Sequence, residues 1–133
     1  MKRAATLAAL GAALALSGCL DQGPDGGTLA VRLAAPRPGD RAVSFVLVGP
    51  HASFTAPWGS GYRVFSLSSA DGDTAYVAVV APSGGGLAAG VLAVFGAPDA
   101  SQVSRYSVTV TDVARSDYTV GDTAGVALSV YHP

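Results

Sequence analysis

Few side chains in this chain of 133 residues are suited to acid–base or nucleophilic chemistry. There are nine aspartates, no glutamate, one cysteine and two histidines, His51 and His132. His51 would serve a Ser-His-Asp triad as the general base. A Gly-x-Ser-x-Gly elbow is missing, however, because residues 58–62 read Trp-Gly-Ser-Gly-Tyr and have the wrong spacing. We therefore predict that His51 is a solvated loop histidine, that there is no catalytic residue, and that the protein is not an enzyme.

The aspartates are the candidate metal ligands. Ca²⁺ prefers about six to eight oxygen ligands, which Asp71 and Asp73, or else Asp112, Asp117 and Asp122, would help to supply. Neither group has the EF-hand spacing. Aspartate also favours turns, because its carboxylate accepts hydrogen bonds from nearby backbone amides. The turn interpretation is favoured, so we predict no metal and no cofactor, with Asp71 and Asp73 as weak candidates for calcium.

Aromatic residues cluster in residues 51–62, between two predicted strands. The segment begins with His51 and contains Phe54, Trp58 and Tyr62, which together form a candidate ligand-binding loop. On a loop, Trp58 would present a flat apolar surface to a sugar ring or a partner protein. In the alternative interpretation, Trp58 closes one end of the core and Phe54 lies in a short edge strand. This alternative is favoured, because large aromatic side chains are usually buried.

The amino-terminal residues have the features of an export signal. Lys2 and Arg3 form a positive segment, and residues 4–16 are an apolar run of Ala, Leu and Gly with one Thr. This run is too short to cross a bilayer as a helix, which takes about 20 apolar residues. The pattern predicts a signal peptide rather than a permanent transmembrane anchor.

The signal segment ends in a tetrapeptide that resembles the lipobox of bacterial lipoprotein precursors. A lipobox has a leucine, two small residues and an obligatory cysteine, matched here by Leu16, Ser17, Gly18 and Cys19. The resemblance implies that a signal peptidase recognises Leu16, Ser17 and Gly18 and cleaves before Cys19. It also implies that the Cys19 thiol carries a diacylglyceryl group and that the new terminal amine receives an acyl chain such as palmitate.

A lipid anchor implies a location in the bacterial cell envelope. Two or three acyl chains hold a protein on a membrane durably, because each buried methylene contributes about 0.8 kcal/mol. In bacteria with two membranes, an aspartate after the lipidated cysteine typically retains the protein in the inner membrane. Leu20 departs from that signal, so the resemblance favours the outer membrane, although Asp21 follows one place later. Residues 1–18 are thus predicted as the signal peptide and residues 19–27 as a lipidated flexible tether.

The mature chain carries a small negative charge. Without Lys2 and Arg3, six arginines stand against nine aspartates, a formal charge of −3. Such a charge is not that of a nucleic-acid-binding domain, so we predict no nucleic-acid partner. A single cysteine excludes an internal disulfide and a cysteine-based zinc site.

Residues 28–133 have the pattern of short β-strands. Apolar and polar residues alternate in several segments, and the pair Asp71 and Gly72 marks a hairpin. The predicted strands span residues 28–34, 42–48, 62–68, 74–81, 89–95, 105–111, 118–120 and 124–131. No helical spacing extends far. We predict one all-β domain, an immunoglobulin-like or cohesin-like antiparallel β-sandwich of seven or eight strands, with a small barrel as the alternative.

Part of this domain resembles cohesin-like sandwiches and their carbohydrate-binding relatives. Residues 90–95, Gly-Val-Leu-Ala-Val-Phe, lead through a Pro-Asp-Ala turn to residues 106–113, Tyr-Ser-Val-Thr-Val-Thr-Asp-Val. In that family a leucine-bearing strand precedes a Thr/Val-rich strand that ends near an acidic residue. The resemblance implies the fold class and a binding role.

Three functions are compatible with these features. The leading hypothesis is a membrane-anchored lipoprotein whose non-catalytic sandwich binds an unknown protein or carbohydrate, mediates adhesion or supports the envelope. The second is a small envelope hydrolase that uses loop Asp residues and His51. The third is an accessory or inhibitor subunit whose edge strand adds to the sheet of a partner.

Overall fold

The computed structural model describes residues 26–133, which fold into two antiparallel β-sheets packed face to face. Among these residues there are nine strands and no α-helix. The strands are β1 (Gly27–Leu33), β2 (Asp40–Val48), β3 (Phe54–Thr55), β4 (Arg63–Ser68), β5 (Thr74–Val80), β6 (Gly90–Ala97), β7 (Ser107–Arg115), β8 (Val120–Gly121) and β9 (Leu128–Tyr131). A 3₁₀ turn, Val103–Arg105, precedes β7. The prediction of an all-β sandwich is confirmed.

The two sheets differ in size. One sheet has four strands in the order β3-β6-β1-β9, and the other has five in the order β4-β5-β2-β7-β8. All neighbouring strands are antiparallel. The edge strands are therefore β3 and β9 in the first sheet, and β4 and β8 in the second. With six residues, β4 is the longest of these four.

The core lies between the sheets and consists of the side chains that alternate inward. In β2, Val43, Phe45 and Leu47 are buried, whereas most residues between them are partly exposed. Phe95 of β6 is buried on the facing sheet. Each large apolar side chain removed from water contributes about 1.5–3 kcal/mol. This repeated gain explains why a period-two pattern in the sequence predicts the strands.

Eight of the nine strands coincide with predicted segments, with shifted ends. The largest shifts are four residues each: β7 ends at Arg115 rather than at residue 111, and β9 begins only at Leu128. Arg105, predicted as strand, belongs to the 3₁₀ turn. The additional strand is β3, whose two residues are too few to show a period. Its position agrees with the interpretation that placed Phe54 in a short edge strand.

A β-bulge in β7 changes which residues of that strand face the core. Up to Val110 the residues alternate as predicted. The pairing with β2 then shifts between Ser44 and Phe45, which leaves Thr111 as the extra residue. The Oγ1 atom of Thr111 lies 2.9 Å from Oγ of Ser44 on the solvent side, and Val113 takes the next buried position.

The predicted signal peptide, the lipobox and most of the tether lie outside the described residues. Gly27, predicted as the end of the tether, is already the first residue of β1. In residues 26–133, no helix has the length and apolar composition needed to cross a membrane.

Candidate functional site

His51 lies in the crossing from β2 to β3, and both of its ring nitrogens are hydrogen-bonded. Its Nδ1 is 2.8 Å from the carbonyl oxygen of Gly49, and its Nε2 is 2.8 Å from Oγ of Ser68. Because a carbonyl can only accept, Nδ1 carries the proton, and Nε2 of the neutral ring accepts from the Ser68 hydroxyl. The ring also lies 5.4 Å from that of Phe54, centroid to centroid. His51 thus lies in a loop, as predicted, but these contacts leave its ring only partly exposed to solvent.

A groove of about 490 Å³ lies beside His51. The turn between β4 and β5 contributes Asp71 and Asp73, and the end of β6 also lines the groove. Oδ1 of Asp71 accepts hydrogen bonds from the Ser69 hydroxyl and from the Asp73 N–H, the second at 3.1 Å. The Ser69 bond, followed by the Asp73 bond, lowers the pKa of Asp71 below its ordinary value of 3.8.

Most of the aspartates considered as calcium ligands lie in connections between strands, whereas Asp112 lies within β7. Like Asp71, Asp117 accepts hydrogen bonds from the hydroxyl and the N–H of Thr119, which lower its pKa. Oδ1 of Asp122 accepts from the Ala124 N–H at 2.9 Å. Within the described part of the chain, no group of three or more His, Cys, Asp or Glu side chains is placed to hold a metal ion.

The remaining members of the predicted binding loop point in different directions. Phe54 is 8% exposed, and its ring centroid lies 5.1 Å from that of Phe95. Oη of Tyr62 accepts a hydrogen bond from the Ala88 N–H at 3.0 Å, which ties the loop to the segment before β6. Trp58 is fully exposed, with a relative accessibility of 102%. The favoured interpretation that Trp58 closes the core is therefore wrong.

Other aromatic residues already fill the space that Trp58 was expected to occupy. The rings of Phe54, Phe95 and Tyr106 form a row, with centroids 5.1 and 5.4 Å apart. The chain around Trp58 then turns at Gly59 and Gly61, both of which have positive φ. The structure therefore separates Trp58 from His51 and Phe54.

The solvent side of the five-stranded sheet presents an apolar surface instead. Phe65 and Leu67 of β4 are 58% and 71% exposed, and Tyr76 of β5 is 56% exposed. Leu67 is paired with Tyr76 across the two strands, and Phe65 is one pair along the same face. We refer to the surface of Phe65, Leu67 and Tyr76 as the outer face. Contiguous exposed apolar residues of this kind mark interaction sites.

A shallow groove of about 360 Å³ runs along the outer face. Besides the three apolar residues, it is lined by Ser44 and Thr111, whose hydroxyl oxygens are 2.9 Å apart. Among the described residues that line this groove, none is charged. The groove therefore offers apolar surface and neutral hydrogen-bonding groups to a ligand.

The sequence of β4 contains a feature that indicates the outer face, but the assumption that apolar residues of a strand point inward hides it. In β4 the larger apolar residues are Phe65 and Leu67, and alternation alone would place them inward. In the structure Val64 is the half-buried residue of β4, whereas Ser66 is exposed although it lies on the inner side. The larger apolar side chains of β4 therefore lie on its solvent side, and the smaller side chains lie on its inner side.

The fold and the site together define a two-layer antiparallel β-sandwich with an exposed apolar sheet face. Comparisons of the chain with protein-family models, with curated proteins and with solved structures find no match. The proposals below are accordingly based on the geometry of this chain and on its own sequence.

Proposed function

We propose that the protein is a bacterial lipoprotein whose β-sandwich is held in the cell envelope by lipid on Cys19 and binds a ligand without chemical conversion. The anchor is supported by the lipobox-like residues 16–19 and by the apolar run before them. The tether, which ends before Gly27 because Gly27 belongs to β1, would keep the sandwich roughly 15–20 Å from the lipid as a random coil. The outer membrane is the proposed location, because Leu20 differs from the aspartate that retains lipoproteins in the inner membrane.

The binding role depends on one observation, the outer face. Phe65, Leu67 and Tyr76 are each more than half exposed although they are large apolar residues on a regular sheet. Full burial of a large apolar side chain contributes about 1.5–3 kcal/mol, and these side chains forgo the part of it that corresponds to their exposed surface. A ligand or partner that covers them would recover part of this free energy, which is why we assign binding to this surface.

The chemistry of the groove favours a neutral carbohydrate chain. Sugar rings present C–H faces that pack on aromatic side chains such as Phe65 and Tyr76, and hydroxyls that bond to neutral groups such as Ser44 and Thr111. The uncharged lining offers no partner for a strongly charged ligand. A flat, open sheet surface also suits a chain better than a small molecule, which requires a deeper pocket.

The anchor is tested by metabolic labelling with an alkyne fatty acid in a Gram-negative host. The wild-type chain is expected to incorporate label and to enter the membrane fraction, and Cys19→Ser to do neither. Leu20→Asp is the matched variant, because it should keep the label while moving the protein to the inner membrane. Label-free wild-type protein in the aqueous fraction would disprove the anchor.

The binding role is tested with immobilised neutral polysaccharides. Tyr76→Ala and Phe65→Ala should weaken binding by about tenfold or more, since a central aromatic residue contributes about 2 kcal/mol. Trp58→Ala is the control. Trp58 is also aromatic and is more exposed than Phe65 and Tyr76, but it lies outside the outer face. Binding that depends on Trp58 and not on Tyr76 would contradict the assignment, as would the absence of binding to every polysaccharide.

A hydrolase is the second candidate, and one hydrogen bond favours it. The Ser68 hydroxyl donates to Nε2 of His51, while the Gly49 carbonyl holds the opposite side of the ring. This is the relation between a nucleophile and its general base, with a carbonyl in place of the orienting carboxylate. The groove beside His51 would receive the substrate.

The hydrolase candidate is tested with a fluorophosphonate probe, which labels activated serines. Labelling of Ser68 that is lost in Ser68→Ala and in His51→Ala would support it. Ser66→Ala is the matched control, because Ser66 lies on the same side of the same strand but has no bond to His51. Folded wild-type protein that is not labelled would leave the non-catalytic proposal as the better account.

A further inference from the structure

Strand β4 is an open edge of the five-stranded sheet. It has six residues, Arg63 to Ser68, with no proline, no lysine and no bulge in its pairing with β5. Natural proteins usually protect a sheet edge with such features, because an open edge accepts another strand. Outside the pairing with β5, no backbone hydrogen bond in the described chain involves Val64, Ser66 or Ser68, and the crossing is bonded to this strand through His51 and the Ser68 hydroxyl.

The direction of the free hydrogen-bonding groups follows from the pairing with β5. The N–H of Ser69 donates to the carbonyl oxygen of Thr74 at 2.8 Å. Hydrogen-bonded and non-hydrogen-bonded pairs alternate along antiparallel strands, and the next hydrogen-bonded pair after Ser69 and Thr74 is therefore Leu67 and Tyr76. The odd-numbered residues of β4 thus exchange hydrogen bonds with β5. The N–H and C=O groups of the even-numbered residues, Val64, Ser66 and Ser68, therefore point away from β5 at the free edge.

We propose that this edge pairs with β4 of a second copy of the chain, antiparallel and about a two-fold axis perpendicular to the sheet. In this register Ser66 lies opposite Ser66 of the partner subunit, and Val64 lies opposite Ser68 of the partner subunit. Three residue pairs then face each other with free groups, and each exchanges two hydrogen bonds, about six in total. The two five-stranded sheets become one continuous sheet of ten strands.

The same register brings the outer faces of the two copies together. Residues opposite each other in an antiparallel pair point to the same side of the sheet. Phe65 therefore lies opposite Leu67 of the partner subunit, and Leu67 lies opposite Phe65 of the partner subunit. These are pairs without mutual hydrogen bonds, in which side chains approach most closely. The contact is isologous, since the same patch is used by both copies.

The charges of β4 permit this arrangement. Arg63 is the one charged residue of the strand, and it lies opposite Ser69 of the partner subunit. The two Arg63 side chains lie at opposite ends of the strand pair, so like charges do not meet across the axis. The shifted register that pairs Phe65 with itself would instead place the charge of Arg63 opposite the apolar side chain of Leu67. This self-complementarity is the reason that we assign the edge to a second copy rather than to a different protein. The pairing uses only residues of the folded sandwich, so it does not depend on the lipid anchor.

Disulfide trapping in the full chain tests the register. Ser66→Cys is expected to form a disulfide-linked dimer, because facing residues of a hydrogen-bonded pair have Cα atoms about 5.5 Å apart. Ser107→Cys is the matched control, an exposed serine on β7 away from the edge, and the wild-type chain with Cys19 gives the background. Trapping no stronger than in Ser107→Cys would overturn the proposal, and stronger trapping in Phe65→Cys would overturn the register.

Light scattering of the full chain in detergent tests the association itself. The wild-type protein is expected to be a dimer that dissociates on dilution, because one strand pair is smaller than the standard interface of about 1,600 Å². Leu67→Lys should halve the mass by placing a charge against Phe65 of the partner subunit, whereas Trp58→Lys should not. A monomer at every concentration, or a dimer unaffected by Leu67→Lys, would contradict the proposal. Neither outcome bears on polysaccharide binding, which is measured separately.

Discussion

The ring of Tyr106 lies so close to the backbone of Gly49 that a Cβ atom at position 49 would be 2.4 Å from Cδ1 of Tyr106. Gly49 directly follows β2 and has a φ of +142°, a conformation that side-chain-bearing residues rarely adopt. The Tyr106 hydroxyl donates to the carbonyl oxygen of Pro50, the next residue. The start of β7 is thus fixed to the crossing that carries His51.

We expect Gly49→Ala to be strongly destabilising. The added methyl group must displace the Tyr106 ring, which costs about 1–3 kcal/mol beyond the backbone strain. Gly90→Ala is the matched control, because Gly90 also has positive φ, at +120°, but no atom lies within 4 Å of its added Cβ. Urea unfolding should show that Gly49→Ala loses more free energy of unfolding than Gly90→Ala. Equal losses would mean that strain alone, and not the contact with Tyr106, constrains Gly49.

Most of the fold could be predicted from the sequence, because alternation records burial. The runs around Phe45 and Val108 predict strands in which every second residue faces the core, and the structure has them. The Asp71-Gly72 turn is likewise local, with Gly72 at φ of +74°. The bulge at Thr111 could not be predicted, because it depends on the partner strand rather than on β7 itself.

The candidate sites were harder to predict, because they depend on contacts between distant segments. His51 was expected in solvent, but the hydroxyl of Ser68, 17 residues away, donates a hydrogen bond to its ring. Trp58 was expected in the core, but Phe95 and Tyr106, from other parts of the chain, pack there instead. A single sequence does not give these distances, so both predictions were made from residue type alone.

We expect Arg37→Met to destabilise the sandwich more than Asp40→Asn. Asp40 is 4% exposed and is the one buried polar or charged residue of the described chain, and Nε of Arg37 lies 3.0 Å from its Oδ2. Without Arg37 the carboxylate is buried and unpaired, which costs about 1–3 kcal/mol. Arg37 is about one-third exposed, so solvent screening keeps the loss in the lower part of that range.

A double-mutant cycle measured by thermal unfolding checks this pair. Replacing both residues in Arg37→Met/Asp40→Leu removes the unpaired charge, so the double variant should be more stable than Arg37→Met alone. Arg37 also donates to the carbonyl oxygens of Asp122 and Ala124. If the double variant is no more stable than Arg37→Met, those carbonyl contacts, and not the ion pair, account for the loss.

We expect the acid titration of Asp71 to depend on Ser69. The Ser69 hydroxyl bond, supported by the Asp73 N–H, lowers the pKa of Asp71 below 3.8 in the folded protein. A lowered folded pKa contributes stability above the unfolded pKa, and this contribution is lost as pH falls through the folded pKa. Ser69→Ala should therefore raise the Asp71 pKa towards 3.8, as measured by carboxyl carbon shifts in an NMR titration.

Asp117 is the internal reference for this titration. Its pKa is lowered by the same arrangement with Thr119, in a turn at the other end of the sheet order. It should not respond to Ser69→Ala, but should rise in Thr119→Ala. A shift of both aspartates in Ser69→Ala would indicate a general loosening of the fold rather than the loss of one hydrogen bond.

We expect Trp58 to contribute nothing to the stability of the fold, in contrast to the aromatic row of Phe54, Phe95 and Tyr106. Trp58 is fully exposed, so Trp58→Ala should change the free energy of unfolding by no more than about 0.5 kcal/mol. Phe95→Ala, at 1% exposure, should cost about 3–5 kcal/mol. Because the chain has one tryptophan, acrylamide quenching of the wild-type protein reports on this residue alone. Quenching should be as strong in the folded protein as in urea, and marked protection in the folded protein would mean that Trp58 is covered by a neighbouring molecule or by the sandwich.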